Sequence, residues 1–459
     1  MTVTAPTAVP RQAPATRGHP IFGTALDLRQ DIIGTLVSQW RQHGDVVRFR
    51  SPFSGVPDYL ITHPDDVKFV LQEAHQTFRH PPLQRATFSA VVGQGLVASQ
   101  GTYWRRQRRL AQPAFHKRRI ADFADLTVST TDELVERWRP NSMSGEPLDL
   151  RVEMMRVTLD VLARALFSAD WSRDVEKLGV HVTYLLERTF TGMLSPFALP
   201  EWAPTPVNRR FRSSRDAVDE VVYRLIAAHR ASGADDSSLV GMLLSAQDAD
   251  TGEMMTDQQV RDEVMAMLIA GHETVSTALT WTWYLLSRHP EAEARVAAEV
   301  AAVCGDRAPT FEDLPSLEYT SRVIQESMRL YPPLWVMGRM PTEDTEIRGY
   351  RVPRDSVVLL SQYVTHRHPE FWDNPEGFDP DRFLPAAVKE RHRYAYFPFG
   401  GGPRKCIGDA FAMMEMPLLI ARVIQHYRLQ LVPGHPVEPA PGISLRVAHG
   451  LPMTIHART

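Results

Sequence analysis

A chain of 459 residues with 43% apolar and 23% charged side chains can bury a large core and lacks the charge excess of a disordered chain. Its formal charge of −3 excludes the strongly basic footprint that nucleic-acid binding leaves. Two cysteines, Cys304 and Cys406, are too few for a disulfide scaffold, a four-cysteine zinc site or an iron–sulfur cluster, and they suit a reducing, cytoplasmic setting.

The first 20 residues are rich in Pro, Ala and Thr, without the apolar core of a signal peptide, and predict a flexible lead-in. Residues 45–50 and 58–62 are expected as short strands around a turn, and His63-Pro64-Asp65-Asp66 as a helix start. From 102 to 286 apolar residues recur at the helical period, interrupted by the Pro-rich stretch LSPFALPEWAPTP. The longest apolar run, Met265 to Leu286, is long enough to cross a bilayer, yet His272, Glu273, Thr274, Ser276 and Thr277 interrupt it. It reads as a buried helix with a functional polar notch, and no membrane span is expected. Two further helices (EAEARVAAEVAAVC and SLEYTSRVIQESMRL), strand-like YRVP and SVVLLSQYVT, and a last helix from about Asp409 to Gln425 complete the series. With no internal repeat and no Gly/Ser linker, residues 21–459 are expected as one domain, mainly α with small β-sheets.

The most informative segment is Phe399-Gly400-Gly401-Gly402-Pro403-Arg404-Lys405-Cys406-Ile407-Gly408, just before that last helix. A cysteine at a helix N-terminus has unpaired amides and the positive end of the helix dipole to stabilise a thiolate, as a metal-bound sulfur requires. Gly402 and Gly408 are expected to permit tight turning there. Taken alone, the same residues also describe a small buried hydrophobe beside a flexible hairpin.

The segment resembles the cysteine loop of the cytochrome P450 family, which it matches at Phe399, Gly402, Arg404, Cys406 and Gly408. The resemblance implies the cytochrome P450 fold, haem b, and Cys406 as axial ligand of its iron. It also implies dioxygen as co-substrate and NAD(P)H acting through redox partners. By the same resemblance Phe399 packs near the sulfur, and Arg404, Arg339 and the pair Trp104 and Arg108 contact haem propionates. Glu326, Arg329 and Arg382, from SRVIQESMRL and FDPDRF, would form a buried structural triad holding the cysteine loop.

Ala270-Gly271-His272-Glu273-Thr274 lies mid-helix, where Gly is unfavourable and an acid is not buried without purpose. It matches the family's oxygen-activating motif, which gives Ala270 and Gly271 a groove for dioxygen and makes Glu273 and Thr274 a proton relay. His272-Glu273 does not begin a zinc-protease HExxH motif, since position 276 is Ser. Gly93-Gln94-Gly95-Leu96-Val97-Ala98 fits a dinucleotide fingerprint but lacks a surrounding βαβ unit.

The resemblance places substrate contacts at Phe88, Val92, Phe190, Trp335, Val336 and Met337, with Leu83, Val91, Leu194, Phe197 and Leu445 nearby. This apolar set suits a hydrophobic small molecule such as a fatty acid, terpenoid or polyketide. The short stretch after Cys406 holds no flavin domain, so a separate ferredoxin or flavodoxin-type donor is expected on the basic face near Arg105, Arg106 and Arg109, where charge is to spare. The reading is a haem-thiolate monooxygenase. A peroxide-driven or isomerising haem-thiolate enzyme and a non-catalytic haem sensor or carrier stand as the alternatives.

Overall fold

The computed structural model describes residues 11–16, 18–19, 23–50, 55–167, 175–194, 201–232 and 238–458. The chain falls into two compact units, each assembled from separated stretches.

The first unit takes residues up to 84 with 335–377 and 390–405. Helix α1 (Ile32–His43) starts where the Asp31 side chain accepts the Gly34 amide, which satisfies one of the free donors of a helix N-terminus. The strands follow in the sheet order 46–49, 58–61, 358–360, 337–341 and 78–79. All pairs are antiparallel except 58–61 with 358–360, so the sheet brings two distant parts of the sequence together. A hairpin of Thr345–Ile347 and Tyr350–Val352 turns through Arg348 and Gly349, both with positive φ, the backbone that a two-residue hairpin loop demands. Residues 11–16 are not a free tail. Arg11 exchanges backbone hydrogen bonds with Gly349 and Arg351, Pro14 and Thr16 with Arg48, and Ala13 is buried. The Gln362–Thr365 stretch, expected as strand, is a helical turn, because Ser361 leaves the strand and caps it by accepting the Val364 amide.

The second unit takes residues 85–334, 378–389 and 406 onward, and is mostly helical. In chain order its main helices are α2 (Gly101–Ala111), α3 (Ala124–Ser144), α4 (Leu150–Phe167), α5 (Val175–Leu194), α6 (Pro206–Ser232), α7 (Asp257–Arg288), α8 (Pro290–Cys304), α9 (Glu318–Leu330) and α10 (Asp409–His426). Helix α7 begins with a full capping box, Thr256 and Gln259 each accepting the other's amide. It is buried around most of its circumference, and α4 lies against it. A β-carbon on Gly271 would stand 2.9 Å from the Leu162 side chain, so close helix packing supplies part of the reason for a glycine there. The Thr158 hydroxyl of α4 donates to the His272 carbonyl at 3.1 Å.

The fingerprint-like glycines have a different use. The Gln94 amide donates to Asp262 and the Leu96 amide to Glu263, at 2.8 and 3.0 Å. A β-carbon on Gly93 would collide with the Asp262 carboxylate at 2.2 Å. This is a loop fastened onto α7, with no nucleotide geometry. Among the described residues no helix is long and apolar enough to cross a membrane.

Candidate active site

In the second unit Cys406 is exposed and stands two residues ahead of Gly408, the N-cap of α10. Arg108 of α2 is close enough for its charge to feel Cys406 and Asp409. Burial lowers its guanidinium, and those two groups act against the shift. Trp104 lies one helical turn earlier on α2, and both side chains are partly buried. Gly408 sits in a turn that any residue can adopt. Its φ is −93°, and the nearest atom to an added β-carbon is 3.9 Å away, on Phe115.

Along α7 residues 260–269 are buried in an unbroken run, while Ala270 is exposed and Gly271 and Thr274 are partly so. These three share one face, at spacings of one and four residues. The helix is continuous there, and the Thr274 hydroxyl donates to the Ala270 carbonyl at 2.7 Å. Glu273 is buried. It accepts from Ser444 at 2.8 Å and pairs with Arg446 at 3.6 Å. Neither Ser444 nor Arg446 is suggested by the sequence pattern, because each lies some 170 residues further along the chain. His272 is buried and gives its Nδ1 proton to the Leu268 carbonyl at 2.6 Å, and burial lowers its imidazole below the ordinary range. It is a neutral packing residue.

Glu326 and Arg329 of α9 are both fully buried, and Arg382 approaches Glu326 Oε1 at 3.5 Å. The Asp379 amide donates to the same oxygen at 2.9 Å. The three residues are therefore brought together around one carboxylate.

In the first unit Gly402 takes φ +63°, and a β-carbon there would come within 1.8 Å of the Leu71 carbonyl oxygen. Its amide donates to the Tyr394 hydroxyl at 3.1 Å, which in turn donates to Gln72 at 2.9 Å. Phe399 is half-buried in the same loop. Arg339 donates to the Gly338 carbonyl and lies 3.4 Å from His80 Nδ1. Burial and the charge of Arg404 push Arg339 down to about 10. Burial, Arg339 and Arg404 together hold His80 well below its ordinary value. Among the described residues no carboxylate pairs with Arg339. A recessed cation beside a second cation suits an external anion, and His80 joins this group without any motif to announce it.

Several expected substrate contacts are packed away. Val92 and Val91 belong to the second unit's core, with 0% and 2% exposure. Leu445 and Trp335 are also buried, at 0% and 2%, and Met337 is buried as well. Phe88, Phe190 and Val336 are partly exposed and Leu83 is exposed. Phe197 and the Leu194 side chain lie outside the described residues. The basic face also differs from expectation. Arg106 pairs with Glu253 and Asp248, and Arg109 with Asp248 and Asp250, so an acidic loop takes up their charge. Arg105 is exposed, and no ion pair to it appears among the described residues.

In the second unit an exposed cysteine just ahead of a helix N-terminus and a helix face open at Ala270, Gly271 and Thr274 suit an iron porphyrin; in the first unit, taken by itself, the recessed Arg339 suits a carboxylate such as a porphyrin carries. A sequence model of the family described as "Cytochrome P450" matches residues 13–449. Cyclooctatin synthase of Streptomyces melanosporofaciens is 40% identical, with 95% of each chain covered. Cyclooctat-9-en-7-ol 5-monooxygenase of the same organism is 36% identical, with 88% of each chain covered. Pentalenene oxygenase of Streptomyces avermitilis is 32% identical, with 96% of each covered. The crystal structure of the cytochrome P450DA heme domain is similar with a TM-score of 0.89, at 26% identity over 98% of each chain. The chain belongs to the cytochrome P450 family and is an oxidoreductase, a haem-dependent monooxygenase that uses dioxygen.

Proposed function

We propose that this monooxygenase inserts one oxygen atom of O2 into a polycyclic terpenoid, drawing electrons from a separate ferredoxin or flavodoxin-type protein supplied by NAD(P)H. The observation that carries the substrate class is the 40% identity to cyclooctatin synthase across 95% of both chains, joined by the relatives named for cyclooctat-9-en-7-ol and pentalenene. Fold alone does not fix substrate, so the relatives' names narrow the fatty-acid, terpenoid and polyketide set.

When bound, haem with a thiolate ligand supplies an iron onto which the sulfur pushes electron density, favouring O–O cleavage. Each protein group has an assigned part. Cys406 is the iron ligand, and Phe399 packs beside it. Gly402 lets the loop turn against Leu71. Arg108 and Trp104, with Arg339, Arg404 and His80, hold the haem carboxylates. Glu326, Arg329 and Arg382 keep their segments fixed. Ala270 and Gly271 leave room for O2, and Thr274 and Glu273 bring protons. The hydrogen-bonded, buried Glu273 carboxylate favours this proton-consuming reading over a peroxide-driven one, which needs no such acid. Arg105 is the cation on the basic face best placed to steer an acidic donor.

The test is substrate-dependent NAD(P)H oxidation with a surrogate ferredoxin and its reductase. Polycyclic terpenes and terpene alcohols are expected to shift the haem absorption and give oxygenated product. A shift and product only with fatty acids would overturn the substrate class.

A further inference from the structure

Glu273 is only 3% exposed, yet an acid that delivers protons must be reloaded after each transfer. The structure offers one route. Ser444 Oγ donates to Glu273 Oε1 at 2.8 Å, which commits its single proton. The 3.2 Å contact between Thr277 and Ser444 must then use the Thr277 proton. The two hydroxyls are thus aligned in series toward the carboxylate. Thr277 also lines a small recess whose exposed lining is mainly apolar, with Arg151, Ser276, Thr280 and Arg446 as its other polar members.

A cation holds the Glu273 carboxylate in place. Arg446 holds Glu273 Oε1 at 3.6 Å and reaches Glu187 of α5 at 3.2 Å. Glu187 is half-exposed, so one guanidinium joins the surface to the buried acid. His272, also titratable, gives its Nδ1 proton to the Leu268 carbonyl, and its buried Nε2 has no hydrogen-bond partner among the described residues. It offers no competing route.

We propose that Thr277 and Ser444 are the relay through which Glu273 is reprotonated from the recess, with Arg446 positioning the carboxylate at the inner end. A hydronium ion in the recess gives a proton to Thr277 Oγ1 and is left as water, while the Thr277 proton passes to Ser444 Oγ and the Ser444 proton to Glu273 Oε1. Each hydroxyl oxygen breaks one O–H bond and forms another, the carboxylate becomes neutral, and no electrons move. Rotation of the two hydroxyls resets the chain. The inference rests on Glu273 serving as the proton-delivering acid.

The experiment is time-resolved infrared spectroscopy of the resting, haem-loaded enzyme after a jump to acid pH. The Glu273 carboxyl band is assigned by its loss in Glu273→Gln. Thr277→Val and Ser444→Ala, which keep shape but remove a hydroxyl, are expected to slow its appearance by about tenfold or more. Ser444→Thr, which restores a hydroxyl, is expected to recover the native rate. The proposal is overturned by native rates in both deletion variants, by Ser444→Thr as slow as Ser444→Ala, or by no Glu273 band in the native enzyme. Because no turnover is needed, these outcomes are separate from whether Glu273 serves catalysis, which the coupling of Glu273→Gln decides.

Discussion

Glu326 and Arg329 meet through two parallel hydrogen bonds of 2.7 Å, with neither side chain reaching solvent. Burial pushes the Glu326 carboxyl above its ordinary value, while both guanidiniums and the Asp379 amide pull it back. Removing the carboxylate strands a buried Arg329 charge, a change that costs about 3–5 kcal/mol. Glu326→Ala is therefore expected to denature at markedly lower urea and to purify with less haem. A denaturation midpoint equal to that of the native protein would remove the structural role.

The two glycines that flank Cys406 should respond differently to a methyl group. At Gly402 both the positive φ and the Leu71 carbonyl oppose a side chain, and the backbone strain alone costs about 1–3 kcal/mol. At Gly408 neither obstacle exists. Gly402→Ala should lower the thermal midpoint clearly, and Gly408→Ala should alter stability by no more than about 0.5 kcal/mol. Equal effects would show that the loop is not held against Leu71.

Glu415 of α10 is buried, with one carboxylate oxygen lacking a hydrogen-bond partner, and burial pushes its carboxyl from 4.5 up to about 8. Between these values the folded chain keeps a proton that the unfolded chain has released. Its contribution to stability is therefore complete below about pH 4.5 and is lost as pH rises toward about 8. The slope approaches about 1.4 kcal/mol per pH unit within that window. Denaturant titrations from acid to mildly alkaline pH should show this decline, and Glu415→Gln should flatten it. An unchanged slope in the variant would contradict the assignment.

Glu273→Gln and Thr274→Ala should uncouple the enzyme. NAD(P)H oxidation is expected to continue while product falls on the order of 10²-fold, with the reducing equivalents recovered as hydrogen peroxide. Product per NAD(P)H at the native ratio in both variants would contradict a proton-delivering role.

The helices were legible because their apolar periodicity is local, and the last one was expected within a residue of its observed end at His426. Cys406 was legible because its neighbours form a contiguous pattern. Contacts made across the fold were not. Ser444 and Arg446 carry no motif, and only folding brings them to Glu273. His80 is an isolated histidine until the 337–341 strand sets Arg339 beside it. The substrate contacts were hardest, since an apolar residue in a sequence reads the same whether it lines a pocket or fills a core. Val92, Trp335 and Leu445 are buried in the structure. The charge on Arg106 and Arg109 was visible, but the acids that neutralise it arrive from a distant loop. At Gln362–Thr365 the β-branched residues suggested strand, and a serine cap outweighed them.

Ligation of haem iron by Cys406 is tested most directly by the absorption spectrum of the reduced, haem-loaded protein under carbon monoxide. The far-red Soret band of thiolate coordination is expected in the native protein and its loss in Cys406→Ser. A native protein without that band, or a Cys406→Ser protein that keeps it, would contradict the account.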